Sequence, residues 1–233
     1  MSDLVILITC EHASNAVPAD YKTIFSNEAI LETHEGWDPG ALDIAKEFGS
    51  FLELPVHTYD YTRLLIEVNR SLDHPKLFSQ WTDALSDVDK THLIENYYLP
   101  YRQKIESEIA KMLEAGNVVV HLSVHTFTPD FFGEKREVEV GLLFDEYRRL
   151  ETEFCALWHE LILKSMPKLD LRFNEPYKGA DDGFTTYLRS KFPEGTYIGL
   201  ELEVSQKFNQ IPNKKFIPTL MESFALSKAS MIG

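Results

Sequence analysis

An imidazole or a carboxylate is useful to a catalyst when a rigid element aims it, and this sequence places several such groups where apolar runs end. The run Leu4 to Ile8 passes through Thr9 into Cys10-Glu11-His12-Ala13-Ser14-Asn15. A histidine at a strand's end, among small residues, is well placed to ligate a metal, although a single histidine is also an ordinary structural residue. Thr33-His34-Glu35-Gly36-Trp37-Asp38-Pro39-Gly40-Ala41 offers His34, Glu35 and Asp38 before a helical pattern, where Asp38 reads equally as an N-cap. In Val118-Val119-Val120-His121-Leu122-Ser123-Val124-His125 the two-residue strand period puts His121, Ser123 and His125 on one face, with Val118, Val120, Leu122 and Val124 on the other. Three polar groups along one face of a central strand need partners, because each unpaired burial costs about 1–3 kcal/mol.

Gly199-Leu200-Glu201-Leu202-Glu203-Val204 sets two carboxylates on one strand face. They are either the charges of an exposed edge strand or a general base facing a metal site. Arg63, Asn69 and Arg70 bracket the apolar run 64–68, where an arginine can hold a carboxylate in a bidentate fork. Cys10 and His12 lie two apart and share a face if the strand continues, which keeps a thiol nucleophile as an alternative. The sequence has no Gly-rich phosphate loop, no His-Glu-x-x-His, no Cys-x-x-Cys and no Gly-x-Ser-x-Gly.

The elements that must position these groups follow from periodicity. Apolar runs at 4–9, 64–68, 118–124, 138–144 and 197–204 have the length and β-branched or aromatic content of strands. Helical patterns occupy 41–51, 89–115, 147–165, 182–192 and 216–230. The second is entered through Ser86 and Asp87, is kinked or split at Pro100, and stops at Gly116. Strands alternating with helices predict an α/β fold, a three-layer α/β/α arrangement with a mostly parallel sheet, whose sites collect at the carboxyl ends of strands. With 233 residues and no repeat or linker, a single domain over 1–233 is expected. A net charge of −14 argues against a nucleic-acid surface, while a few buried arginines still suit a small anion. Two cysteines, Cys10 and Cys155, form no disulfide framework and fit a reducing cytosol. The first apolar run is too short for a signal peptide or a membrane span, so a cytoplasmic protein without a membrane partner is expected.

Taken in order, Cys10-Glu11-His12-Ala13-Ser14-Asn15 with Val17-Pro18, His34-x-x-Trp37-Asp38-x-Gly40-Ala41, Arg63 with Asn69-Arg70-Ser71, Tyr98-x-Pro100-Tyr101-Arg102, His125-Thr126-Phe127-Thr128-Pro129, Asn174-Glu175-Pro176-Tyr177 and Glu201-x-Glu203 resemble the pattern of N-formylglutamate amidohydrolases, from about residue 4 to about residue 206. That resemblance implies a phosphorylase/hydrolase-like fold similar to zinc carboxypeptidases and one zinc per chain, held by two histidines and a carboxylate. By position His12 and His125 match the histidine ligands. Asp38 is taken as the carboxylate, because Asn15 stands where a carboxypeptidase carries its Glu; Glu11 and His34 are the alternatives. Glu203 matches the catalytic Glu and Asn69-Arg70 the pair that holds a terminal carboxylate, with Arg136 and Arg102 as further candidates for that clamp. The implied reaction is zinc-dependent hydrolysis of a small anionic N-acyl acidic amino acid, such as N-formylglutamate, to a short acid and the amino acid. Glu203 would move the proton and Arg63 steady the developing oxyanion. Ser205 stands where members often carry Arg, which leaves a related acidic amide open as substrate. A zinc exopeptidase, a deacylase of another acyl amino acid and a catalytically silent ligand-binding protein on the same fold are the alternatives.

Overall fold

Val118–Phe127 alternates and is nearly all buried because it forms β3, the middle of a sheet. The computed structural model describes residues 3–25, 28–131, 133–210 and 215–231; the other positions of the domain expected over 1–233 lie outside the described residues. β3 pairs in parallel with β1 (Leu4–Cys10) and β8 (Tyr197–Ser205), and β2 (Val56–Thr58) extends the sheet beyond β1, also in parallel. A small antiparallel pair, β4 (Asp130–Phe131) and β5 (Glu134–Lys135), follows β3. β6 (Val140–Leu143) then joins β8 antiparallel and carries β7 (Leu171–Phe173) on its outer side. The order is β2-β1-β3-β8-β6-β7, mixed but mostly parallel, as the alternation of strands and helices predicts.

Helices cover both faces. On one face α1 (Ala41–Leu52), α4 (Arg149–Ser165) and α6 (Phe216–Met231) bury Phe48, Trp158 and Phe224 against Ile8, Leu122 and Leu202. On the other, α2 (Asp87–Leu93), α3 (Leu99–Glu114) and α5 (Phe184–Lys191) contribute Leu93, Ile105 and Leu188 to a second cluster with Leu7 and Val119. The long helical pattern starts where Ser86 predicts, its Oγ accepting from the Asp89 amide at 3.2 Å. It breaks into a π-helical turn over Ile94–Tyr98 just ahead of Pro100, which has no N–H to give to a regular ladder, and ends at Gly116, whose φ of 85° suits glycine.

Two expectations change. The run 64–68 is not a strand: the Leu65 amide reaches back to the Thr62 carbonyl at 3.1 Å and the Arg70 amide to the Glu67 carbonyl at 3.1 Å. Its Leu64, Leu65, Ile66 and Val68 are apolar because a turning segment buries them in the second cluster, not because a ladder holds them. β8 is interior, between β3 and β6, so Glu201 and Glu203 are not edge-strand charges. The three-residue strands β2 and β7 were too short to show a period.

Candidate active site

The carboxyl end of β1 delivers Glu11 and His12, the end of β3 delivers His125, and the loop before α1 delivers Asp38. The Asp38 amide donates to the His12 carbonyl at 3.0 Å, and its carbonyl accepts from the Ala41 amide at 3.0 Å. Asp38 is therefore not the N-cap of α1; Gly40, with φ 91°, takes that place and turns the chain into the helix. Ligand atoms of His12, Asp38 and His125 lie within 4.8 Å of one another, all three residues buried. Asp38 Oδ2 is 3.1 Å from His12 Nδ1 and 2.9 Å from His125 Nδ1.

The far side of each imidazole meets another acid. His12 Nε2 is 2.7 Å from Glu67 Oε1, and His125 Nε2 is 2.9 Å from Ser123 Oγ and 3.3 Å from Glu11 Oε2. Ser123 in turn donates to Glu11 Oε2 at 2.5 Å and Tyr101 to Glu11 Oε1 at 2.9 Å. Arg63 places Nε and Nη2 both 2.6 Å from Glu67 Oε2, and Nη1 3.5 Å from Asp38 Oδ1. Such outer partners fix ring orientation around a metal. Glu67 was hidden from sequence reasoning because it sits inside an apolar run; the one available signal was a lone carboxylate four residues after Arg63.

Burial pushes the Asp38, Glu67 and Glu11 carboxyls up, yet their imidazole and guanidinium partners outweigh it and hold all three below the usual range. Burial would lower His12 and His125, and the surrounding carboxylates raise both instead. Arg63 pairs with Asp38 and Glu67, and among the described residues no Lys or Arg pairs with Glu11, so the three carboxylates and the one guanidinium carry a double negative charge when the imidazoles are neutral. Two imidazoles and a carboxylate converging inside that charge suit a divalent ion of zinc's type.

Glu203 stands beside His125 across the β3–β8 ladder. It is 5% exposed, and its Oε2 meets no hydrogen-bond partner among the described residues. Burial pushes its pKa up to about 8, against the pull of His125 and with the push of Asp38 and Glu201. Glu201, one pleat back, accepts a hydrogen bond from Thr185 and so is occupied structurally. Gly141 opposite Glu203 leaves room: a Cβ there would fall 2.0 Å from the Glu175 carbonyl oxygen.

Of the other sequence candidates, Asn69 accepts the Phe184 amide through Oδ1 at 2.7 Å, and Arg70 Nη1 donates to the Asp182 carbonyl. Arg136 lies over the rings of Phe131 and Tyr177 at 4.6 and 5.1 Å and donates to the Tyr177 hydroxyl at 3.2 Å. Glu11 backs His125 from behind Ser123, and His34 faces the Phe131 ring at 6.2 Å; neither joins the convergent trio. Arg102 is buried and turned to backbone carbonyls, so it is not placed to clamp a substrate. Cys10 points into the apolar cluster on the opposite face, where burial raises its thiol well above the ordinary value; it is no nucleophile beside His12.

Comparison with known proteins finds relatives of this fold. A family model described as N-formylglutamate amidohydrolase matches residues 4–208. A crystal structure of a gene product from Agrobacterium tumefaciens is similar with a TM-score of 0.83 at 25% identity, over 100% of this chain and 92% of that one. An N-formylglutamate amidohydrolase from Ralstonia eutropha shares the fold, with a TM-score of 0.64 at 16% identity over 99% and 93% of the two chains. No curated protein sequence matches. Among the described residues no helix is long and apolar enough to cross a membrane. The family match over nearly the whole chain, on the fold its sequence pattern predicts, makes this protein a member of the N-formylglutamate amidohydrolase family and an amidohydrolase.

Proposed function

We propose that this chain hydrolyses the amide bond of a small N-acyl acidic amino acid, with N-formylglutamate the leading substrate, using one zinc held by His12, Asp38 and His125. The observation that carries the reading is Glu203, a buried carboxyl with an unpartnered oxygen beside three converging ligand atoms. A metal in that cluster supplies a Lewis acid that polarises a carbonyl and acidifies water.

The chain's own groups do the rest. Glu203 Oε2, unpaired and opposite His125, accepts the proton of the attacking water and passes it to the departing amide nitrogen. Arg63, side chain 28% exposed, turns a guanidinium toward the cluster and steadies charge that develops on the carbonyl oxygen. Arg70 and Arg136 form no ion pair among the described residues and meet neutral partners instead. Two guanidinium groups with no paired carboxylate among the described residues fit a substrate with two carboxylates, each held by charge-assisted hydrogen bonds. Asn69, its Oδ1 engaged by Phe184, offers its NH2 to the same substrate. Both cysteines are free and buried, which fits work in the reducing cytosol.

A hydrolysis screen over N-formyl, N-acetyl and dipeptide derivatives of glutamate and aspartate, run with zinc stoichiometry, tests this reading. The expected result is turnover of N-formylglutamate by protein carrying about one zinc per chain. Metal-loaded protein that cleaves none of these amides would sink it.

A further inference from the structure

Arg102 belongs to the motif Tyr98-x-Pro100-Tyr101-Arg102, and neither the metal cluster nor the proton transfer uses it. Its side chain leaves the first turn of α3 and is 3% exposed. Among the described residues it forms no ion pair. The guanidinium carbon lies 4.9, 4.5 and 4.3 Å from the ring centroids of Tyr98, Phe184 and Tyr187. Nη1 donates to the Val68 carbonyl at 2.8 Å and to the Arg70 carbonyl at 3.1 Å. The Tyr98 hydroxyl donates to that same Arg70 carbonyl at 2.6 Å. A buried cation without an anion is costly; two carbonyl acceptors and three ring faces offset the cost here.

Both of those hydrogen bonds end on one short segment, and that segment joins the two halves of the site. At its start the Asn69 amide donates to Glu67 Oε1 at 3.0 Å, the oxygen that also meets His12. At its end the Ser71 amide donates to Asp182 Oδ2 at 3.1 Å, next to the residues that engage Asn69 and Arg70. Without Arg102, the Val68 carbonyl loses its donor from α3 and the Arg70 carbonyl keeps only the Tyr98 hydroxyl, so the side chains between them are held less firmly.

We infer that Arg102 is a positioning residue: by holding the Val68 and Arg70 carbonyls it aims Asn69 and Arg70 at the substrate carboxylate without touching the substrate. The inference rests on the proposed amidohydrolase reading for its kinetic consequence, and on backbone geometry for its structural one. Lysine does not replace this side chain, because an ammonium lacks the flat fork that binds two carbonyls while stacked between rings.

The test is steady-state kinetics of zinc-loaded Arg102→Lys, Arg102→Met and Tyr98→Phe on N-formylglutamate, each alone and in an Arg70→Met background. Both Arg102 variants should raise KM about tenfold with kcat and zinc content at the wild-type level, and Tyr98→Phe should raise KM less. In the Arg70→Met background the Arg102 substitutions should raise KM by clearly less than tenfold, since only the Asn69 contact is left for them to disturb and residues acting through shared contacts are not additive. An equal rise in both backgrounds, or a loss confined to kcat, overturns the assignment. Amide hydrogen exchange supplies a readout without substrate. Asn69, Arg70 and Ser71 should exchange faster in Arg102→Lys than in the wild type, while β3 stays protected. Unchanged exchange in that segment also overturns the inference. Wild-type protein that hydrolyses no N-acyl acidic amino acid removes the proposed function instead, and exchange then decides the role of Arg102.

Discussion

On one face of β3, Val120, Leu122 and Val124 belong to an apolar cluster with residues of α1, α4, α6 and the adjoining strands. On the other, His121, Ser123 and His125 run up the strand beside Thr9 and Glu11 of the β1 side and Glu201 and Glu203 of β8. Both faces are equally hidden from solvent. The apolar face gains from every carbon it buries, at about 25 cal/mol per Å². The polar face must find a partner for each atom it buries, and His121, Ser123 and His125 find theirs in a chain: Thr9 Oγ1 to His121 Nε2 at 2.7 Å, His121 Nδ1 to the Tyr197 hydroxyl at 2.7 Å, and Ser123 to both Glu11 and His125. Along that chain polarity rises toward the carboxyl end, and Glu203 Oε2 near its top is left unpaired. One face of the strand is built for stability and the other for reactivity, so substitutions on the two should separate the properties.

The largest effect should come from His125→Ala. Removing one imidazole from the trio should strip most of the zinc and with it nearly all turnover, by about 1,000-fold or more, measured by metal analysis beside kinetics. Full metal retention would show that His125 is not a ligand. Next comes Glu203→Gln, which keeps size and hydrogen bonding but removes the proton acceptor: kcat should fall about 100-fold with zinc content unchanged. Glu201→Gln should cost less, because Thr185 already engages that carboxylate; the reverse order would move the catalytic role to Glu201. Leu122→Ala crosses to the apolar face and should lower unfolding free energy by about 2–5 kcal/mol, while kcat per folded molecule holds. A matching drop in kcat would mean the faces are coupled. The smallest effect belongs to Cys10→Ala, one carbon-sized group from the same apolar cluster. Activity should be retained within about twofold; its loss would return the thiol to the mechanism.

The two faces also differ in how far the sequence reveals them. β1, β3 and β8 are legible because a strand buried on both sides still alternates when one side is polar, and the period places His121, Ser123 and His125 together. His12, Asp38 and Glu203 come from three separate segments, and only the likeness to a known family joined them before the fold did. What stayed hidden has a physical cause. The run 64–68 reads as a strand because burial, not pairing, decides its composition, and Glu67 is lost within it. Asp38 reads as an N-cap because helix starts and metal sites favour the same side chain. Arg102 reads as a clamp because a guanidinium in sequence does not announce that its targets are carbonyls.

β6 runs against its neighbour β8, with Val140 opposite Val204 and Leu143 opposite Glu201. The start of β6, rather than its end, therefore lies at the rim beside Glu203, and the segment that feeds it, 128–139 with Arg136, arrives there from β3. His125 and Glu203 are carried by strands locked in the ladder, whereas Asp38, Arg63 and this part of the rim are carried by connections between elements. On the proposed reading one substrate contact, Arg136, is thereby carried by a piece of chain separate from the strands that hold His125 and Glu203, and exchanging that piece should change substrate preference while the metal ligands are kept.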